Sequence, residues 1–290
     1  MAATARVLFH SPLIKISDYT CNTPKSGCGC ERCDPTSAIT IIRRGVHAFH
    51  ARARVALAAP GVALLYRGGE PYRLSHPYER AAPDRSTCIE FDAALLEEAF
   101  GTRPLVRDLG TPLSSGTQLR NFQIVSALGS GQCDQLAAEE TVLALVEAIA
   151  GDFDLSREEP AVAATARRRV ERARAFIADR PEANPGLYAV AAAAACSPFH
   201  LTRLFKQQTG MTIRAYRLRL RLAVALQEIA DGAMDLAALA LRAGFSHHSH
   251  MTVSFQKVFG MPPSMLRERM RGRGLSEQSK FLKAALTPQT

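Results

Sequence analysis

The length and composition of the chain exclude several classes of protein. Its 290 residues, 47% of them hydrophobic, are enough for two ordinary domains with proper cores. No apolar run reaches the ~18 residues that a membrane helix needs, since Pro60 and Gly61 interrupt the stretch 55–66. The first 16 residues lack the layout of a signal peptide. We therefore expect a cytoplasmic protein without a membrane partner.

Positive charge is concentrated toward the C-terminal end. Residues 165–275 hold 18 Lys and Arg against 7 Asp and Glu, a net charge of +11, whereas the rest of the chain holds 18 against 20, a net charge of −2. A solvated cationic surface is the plain alternative. Such a concentration is also what a domain that neutralises phosphates requires.

Short strand-like segments fill the first 91 residues. Gly, Pro or charged breaks separate them, and many are rich in Val, Ile or Tyr: residues 7–19, 37–46, 51–59, 61–66, 72–75 and 87–91. This pattern predicts an antiparallel β-sandwich or barrel. In the first segment Leu8, Leu13 and Ile16 are the expected inward side chains.

Helical patterns follow the strands. A short helix is predicted over 94–100, and two more over 114–126 and 135–149, parted by the glycines of 129–131. The last of these carries an apolar stripe of Leu136, Leu143, Val146 and Ile149. The stripe is either a dimer seam or packing on the sheet. The composition of 151–164 suits an interdomain linker, and that of 273–290 a frayed tail.

A short pattern occurs twice in the C-terminal part. His200, Phe205 and Gly210 recur as His250, Phe255 and Gly260, each displaced by the same interval, which indicates a duplicated supersecondary unit. Before each copy lies a short Ala-rich segment, 187–195 or 236–243, and a tight turn. Two helices joined in this way, with the second polar on its outer face, form the helix-turn-helix pattern that enters the major groove of DNA.

The spacing of the two copies supports this interpretation. A helix from Ile213 to about Asp231 would be roughly 28 Å long at about 1.5 Å per residue. Successive major grooves on one face of DNA lie about 34 Å apart. A connector of this length could place two recognition helices in adjacent grooves.

At these residues the sequence resembles the AraC/XylS family of bacterial transcription regulators. The matches cover about a third of the chain: 197–206, Thr209 with Gly210, Tyr216, Arg221 with Leu222, Ala225, 244–255, Phe259 with Gly260, and 262–264. Two positions depart from the pattern, since Ala195 replaces the usual turn glycine and Val253 a usual arginine. Base reading by the second helix is therefore expected to be the weaker.

The resemblance implies an α+β chain of two domains. Residues 1–113 would form a cupin-like sensing domain, 114–150 a helical dimerisation segment, 151–164 a linker, 165–272 an all-α double helix-turn-helix domain and 273–290 a flexible tail. The expected DNA-contacting residues are Ser197, Pro198, Phe199, Thr202, Arg203, Lys206, His248, Ser249, Thr252, Val253 and Gln256. Double-stranded DNA, a second copy of the chain and a small-molecule effector are the expected partners.

The cysteines are the sharpest local chemical feature of the N-terminal part. In a cytoplasmic protein most of the 7 cysteines would be reduced. Cys21, Cys28, Cys30 and Cys33 could together bind zinc or another thiophilic metal, although only one CxxC pair is present. The alternative is a loop of inert or structural cysteines. No cofactor is otherwise predicted.

An enzyme is the competing hypothesis for the whole chain. His47, His50 and His76 could form a metal triad in a cupin enzyme fused to a DNA-binding domain, but the paired-histidine strand motif is missing, and ordinary surface or core histidines are the plainer identity. No phosphate-binding glycine loop or nucleophile elbow occurs. A structural protein that coats DNA without sequence preference is a third hypothesis. The sequence favours a non-enzymatic regulator with a sensor domain.

Overall fold

A computed structural model of the chain describes residues 3–22, 31–51, 54–77, 82–101, 110–131, 134–153 and 164–271. The strands of this part are β1 (Ala3–His10), β2 (Ile14–Cys21), β3 (Glu31–Arg32), β4 (Ser37–Arg44), β5 (His47–Ala51), β6 (Arg54–Ala58), β7 (Val62–Tyr66), β8 (Tyr72–Ser75), β9 (Asp84–Phe91) and β10 (Thr111–Pro112). The helices are α1 (Ala93–Phe100), α2 (Ser115–Gly129), α3 (Gln135–Asp152), α4 (Ala164–Asp179), α5 (Leu187–Ala193), α6 (Pro198–Thr209), α7 (Ile213–Ala230), α8 (Leu236–Arg242), α9 (His248–Phe259) and α10 (Pro263–Arg271). Among the described residues no helix combines the length and apolarity needed to cross a membrane.

The strands form two antiparallel sheets. One has the order β1-β2-β9-β4-β7-β10 and the other the order β3-β8-β5-β6. The side chains between the sheets include Phe49, Tyr66 and Tyr72, whose rings lie 5.0 to 6.2 Å apart. Such contacts stabilise a sheet pair beyond the area they bury. The predicted sheet-rich N-terminal region followed by a helical C-terminal region is confirmed.

Helices α2 and α3 close the other face of the six-stranded sheet. Ile16, Ile39 and Ile89 of the sheet share one core with Val146 and Ile149 of α3. Val146 and Ile149 are 1% and 0% exposed, and Leu143 packs against the same core. These three stripe residues therefore pack on the chain's own sheet. Leu136, in contrast, is 65% exposed.

Two neighbouring cores hold the C-terminal helices. The first joins α4, α5, α6 and the start of α7, and the second joins the rest of α7 with α8, α9 and α10. Helix α7 contributes to both, through Tyr216 and Leu220 at one end and Leu226 and Ile229 at the other. A single helix thus fixes the two halves against each other.

Both cores extend into the N-terminal half. Val46 and Ala59 belong to the first core, and Leu119 and Phe122 of α2 belong to the second. The guanidinium of Arg43, which pairs with Asp18, lies 5.8 Å from the centre of the Phe122 ring. Burial lowers the pKa of Arg43 while the charge of Asp18 acts in the opposite direction. The helical region therefore packs directly on the β-sheet domain.

An ion-pair cluster lies at the same contact. Asp231 is the C-cap residue of α7, and its carboxylate lies 3.0 Å from Arg44 Nη1 and 3.7 Å from Arg85 Nη2. Arg85 also lies 3.4 Å from Asp18. These side chains are half-exposed, so their contribution to stability is about 0–1 kcal/mol per pair.

The structure corrects some details of the predicted elements. Leu13 lies in the turn between β1 and β2 and is 50% exposed, because the segment 7–19 is a hairpin and not one continuous strand. Helix α4 begins where the linker 151–164 was expected to end, and residues 154–163 lie outside the described part. The expected tail 273–290 also lies outside it.

Substitution of Phe122 by alanine tests the contact between the domains. Phe122 is 4% exposed and belongs to the second core. Its truncation should lower the free energy of unfolding by about 3–5 kcal/mol, because both the burial and the packing are lost. The 80% exposed Phe199 is the matched control, and Phe199→Ala should change stability by no more than about 0.5 kcal/mol. Urea denaturation of both variants measures the difference, and equal midpoints would contradict the packing.

Candidate nucleic-acid interface

The first helix-turn-helix unit consists of α5 and α6. Ser197 caps α6 by accepting a hydrogen bond from the backbone N–H of His200 at 3.3 Å, and Pro198 occupies its first turn. Gly210 ends the helix in the left-handed conformation, with φ 71°. Leu201 and Phe205 are buried. The helix is therefore fixed at both ends and along one side, and its other side is presented to solvent.

The second unit, α8 and α9, repeats this arrangement with different caps. Asp235 caps α8. Its carboxylate accepts hydrogen bonds from the backbone N–H groups of Ala238 and Ala237, and these bonds lower its pKa. The imidazole Nδ1 of His247 accepts from the N–H of His250 at 3.2 Å and so caps α9. Gly260, with φ 73°, ends α9 as Gly210 ends α6.

The turns between the helices differ in one residue type. In the first unit the N–H of Cys196 donates to the carbonyl of Ala191, and in the second the N–H of Phe245 donates to that of Ala240, so Ala195 and Gly244 hold equivalent positions. Both are left-handed, with φ 52° and 85°. Ala195 is the one residue other than glycine with positive φ in the described ranges. It adopts the glycine conformation at an energetic cost of about 1–2 kcal/mol.

Helix α7 is anchored by an arginine that the family pattern includes. Arg221 donates from Nε to the carbonyl of Pro181 at 2.8 Å and from Nη2 to those of Glu182 and Ala183 at 3.2 and 2.9 Å. Burial lowers the pKa of Arg221, and Arg217 adds to this effect. Its role here is to hold the loop between α4 and α5 against the connector.

Most of the predicted contact residues lie on the outward sides of α6 and α9. Pro198 and Thr252 are half-buried, and the exposed residues are Ser197, Phe199, Thr202, Arg203, Lys206, His248, Ser249, Val253 and Gln256. Phe199 and Val253 are 80% and 67% exposed. Thr252 Oγ1 lies 3.4 Å from His248 Nε2, so these two side chains support each other on one turn of α9.

The two outward faces differ in chemistry. The face of α6 carries the cations Arg203 and Lys206, whereas the corresponding face of α9 carries His248, Thr252 and Val253. A guanidinium can donate two hydrogen bonds to O6 and N7 of guanine, whereas valine can only contact an apolar group such as the thymine methyl. The first helix is therefore the better equipped to read bases.

Sequence reasoning missed one exposed aromatic side chain on α5. Tyr188, on the first turn of α5, is 81% exposed. Phenol and hydroxyl groups often donate to phosphates, which positions a protein on DNA without reading its sequence. The sequence pattern of 187–195 indicates only a buried Ala-rich helix, so the exposure of Tyr188 could not be predicted from it.

The helix-turn-helix geometry has counterparts among known proteins. Residues 190–269 match a family described as "Helix-turn-helix domain". The C-terminal region is an AraC-type helix-turn-helix domain. The HTH-type transcriptional activator RhaR of Mannheimia succiniciproducens is 37% identical over 67 residues, which cover 23% of this chain and 24% of that protein. The HTH-type transcriptional activator RhaS of Pectobacterium carotovorum is 36% identical over 73 residues, 25% of this chain and 26% of that protein. The chain thus spans about a quarter of the length of these relatives.

Solved structures also resemble the chain. A transcriptional regulator of Chromobacterium violaceum with an AraC-type DNA-binding domain is 25% identical, with a TM-score of 0.35, over 38% of this chain and 99% of that one. ToxT of Vibrio cholerae is 9% identical, with a TM-score of 0.38, over 90% of this chain and 100% of that one. At such TM-scores the assignment of the AraC-type domain depends on the sequence matches and on the helix geometry above.

The predicted cysteine site is only partly within the described residues. Cys21 ends β2 and is half-buried, Cys33 is exposed, and Cys28 and Cys30 lie outside the described part. The four-cysteine metal site therefore stays a prediction. Of the three histidines considered as a triad, His47 and His76 come together, whereas His50 lies 2.8 Å from Ser75 Oγ instead. Burial lowers the pKa of His50, and Arg73 adds to this effect.

The two turn positions give a paired stability prediction. Ala195→Gly should raise the free energy of unfolding by up to about 1 kcal/mol, because glycine adopts positive φ without strain. Gly244→Ala should lower it by more than about 1 kcal/mol, since the new Cβ would also lie 2.6 Å from the Glu182 Cα. Thermal denaturation of both variants tests the pair, and a destabilised Ala195→Gly variant would show that the turn is not strained.

The difference between the outward faces predicts which helix carries specificity. Arg203→Ala should relax preference at one base pair of the target site, because a good bidentate contact is worth about 1–3 kcal/mol of discrimination. Lys206→Ala should instead weaken binding to all sequences and reduce the salt dependence. Val253→Ala is the matched change in α9 and should have a smaller effect. Binding-site selection with the full-length variants measures all three. If Arg203→Ala keeps the full consensus while an α9 variant loses it, the two helices are assigned in the wrong order.

Proposed function

We propose that this protein is a sequence-specific DNA-binding transcription regulator whose N-terminal domain receives a signal. The observation that carries the proposal is the pair of capped recognition helices, α6 and α9, held on one connector with their polar sides in solvent. The matched relatives, named transcriptional activators, support activation as the mode of regulation. Double-stranded DNA is the partner, and the cytoplasm is the compartment.

The charge distribution supports a phosphate-binding role for the AraC-type domain. The net charge of +11 over residues 165–275 contrasts with −2 over the remainder. Some of these cations are engaged within the protein, as Arg221 is with three carbonyls and Arg242 with Glu228 at 2.5 Å. Others, such as Arg203, Lys206 and Lys257, are exposed on the recognition helices. These exposed cations are the candidates for phosphate contacts.

Two other functions fit the chain less well. A cupin enzyme fused to a DNA-binding domain would need catalytic turnover, whereas the matched relatives are named as regulators. A protein that coats DNA would not need two recognition faces of different chemistry. The regulator is therefore the preferred function, and the signal is a small molecule, a metal ion or a change in thiol oxidation.

Binding measurements on the full-length protein test the DNA assignment. We expect the logarithm of the association constant to fall linearly with the logarithm of salt concentration, because phosphate contacts release counterions. A selected site should be bound at least about 1,000-fold more tightly than unrelated duplex at the same salt concentration. Fluorescence anisotropy measures both. Equal affinity for all duplexes would favour the coating function, and a salt-independent interaction would contradict DNA binding.

A homodimer formed through the exposed side of α3 is the assembly we propose. Leu136 is 65% exposed there, whereas Val146 and Ile149 are occupied by the chain's own core. Leu136→Glu should give monomers with weaker operator binding, since a dimer gains from two tethered contacts. Val55→Glu, at a 55% exposed position on β6, is the control and should leave the mass unchanged. Analytical ultracentrifugation decides, and an unchanged mass for Leu136→Glu would exclude this surface.

A further inference from the structure

Two cross-strand pairs of chemically reactive side chains meet at one end of the β-sheet domain. In the six-stranded sheet Cys21 of β2 pairs with Asp84 of β9. In the four-stranded sheet Ala48 of β5 pairs with Ser75 of β8, and the next step of this register places His47 opposite His76. Directly opposed residues point to the same side of a sheet. Each sheet thus presents one pair of side chains, and the two pairs face each other.

The distances within this group are those of ligands around a single ion. His76 Nδ1 lies 2.8 Å and His47 Nε2 lies 3.1 Å from the same oxygen, Asp84 Oδ2. One ligand atom from each of the three residues falls within 4.8 Å of the others. With metal–ligand bonds of about 2.0–2.2 Å, two ligand atoms of a tetrahedral zinc ion are separated by about 3.3 Å. Small side-chain adjustments would therefore bring all three atoms to bonding distance.

The orientation of His76 adds an independent indication. Its Nδ1 is buried and makes no hydrogen bond in the described part of the chain, although it lies 2.8 Å from the Asp84 carboxylate. A buried ring nitrogen that no hydrogen bond satisfies calls for another partner, and a metal ion is one that imidazole commonly binds.

We propose that His47, His76 and Asp84 bind one divalent transition-metal ion, for which Zn²⁺ is the best chemical fit. Two imidazole nitrogens and one carboxylate oxygen are a common donor set for zinc, and three protein ligands leave a fourth position open for water or a signal molecule. All three side chains are at least nine-tenths buried, so their ligand atoms lie away from bulk water.

Cys21 takes the role of an outer partner in this site. Its Sγ lies 3.5 Å from His76 Nε2, the ring nitrogen that does not face Asp84. Metal-binding histidines ordinarily donate from their second ring nitrogen, which fixes the ring orientation. An N–H on Nε2 of His76 would donate to the Cys21 sulfur and leave Nδ1 for the metal. This site is therefore distinct from the predicted four-cysteine site, although Cys21 belongs to both.

The backbone beside the site is shaped around the carboxylate. Gly45 has φ +93°, and a Cβ at this position would lie 1.9 Å from Asp84 Oδ1. Glycine is therefore required here both by conformation and by space. The buried position of the Asp84 side chain depends on this residue. The inference concerns the β-sheet domain alone and holds whether or not the C-terminal region binds DNA.

Metal titration of the full-length protein tests the proposal. After dialysis against a chelator, Zn²⁺ measured by calorimetry should bind at one equivalent to this site, and His76→Gln or Asp84→Asn should weaken it by at least about 100-fold. Cys21→Ser should weaken it about 10- to 100-fold, as loss of an outer partner does. His50→Gln is the control. His50 lies on β5 with His47 but faces Ser75, so this variant should bind Zn²⁺ like the wild type. Unchanged affinity in both His76→Gln and Asp84→Asn would overturn the proposal.

X-ray absorption of the zinc-loaded wild type avoids any dependence on whether the variants fold. The proposed site predicts nitrogen and oxygen neighbours with imidazole scattering and no sulfur. In the cobalt-substituted protein it predicts visible d–d bands without a thiolate charge-transfer band. A first shell dominated by sulfur would overturn the proposal in favour of the cysteine loop. Failure of the wild type to retain any zinc would overturn it as well.

Discussion

The division of helix α7 between two cores is the constraint on which the rest of the structure depends. Tyr216 and Leu220 at its start pack with α4, α5 and α6, whereas Leu226 and Ile229 near its end pack with α8, α9 and α10. Because an α-helix is stiff over this length, the two recognition helices take a fixed separation and orientation. The docking of Val46 and Ala59 on one core, and of Leu119 and Phe122 on the other, adds the β-sheet domain to the same framework.

Much of this architecture could be predicted from local patterns. The boundaries of α6 and α9 follow from Ser197 with Pro198 and from the glycines Gly210 and Gly260, each of which forms a local cap or a left-handed turn. Strand β8 coincides with the predicted segment 72–75. Such features depend on a few neighbouring residues, and for that reason the sequence alone indicates them.

The features that sequence reasoning missed are those set by residues far apart in the chain. The stripe on α3 was compatible with both a dimer seam and a sheet contact, and only the position of the sheet decides that Val146 and Ile149 are covered. His47 and His76 were considered together with His50, but Asp84 was not, because the meeting of Asp84 with the histidines depends on how two sheets face each other. The pairing of Asp231 with Arg44 and Arg85 is likewise invisible to any periodicity.

Strand β9 begins with two adjacent residues that point to opposite sides of the sheet. Asp84 is directed toward His47 and His76, and Arg85 toward Asp231 at the end of α7. Because Asp84 and Arg85 are adjacent in the backbone, a displacement of this strand end would move both side chains. Energetic coupling between two binding sites is reciprocal. If metal binding by His47, His76 and Asp84 changes the affinity of α6 and α9 for an operator, the operator must change the affinity of these residues for the ion by the same factor, and the protein would hold the ion differently on and off DNA.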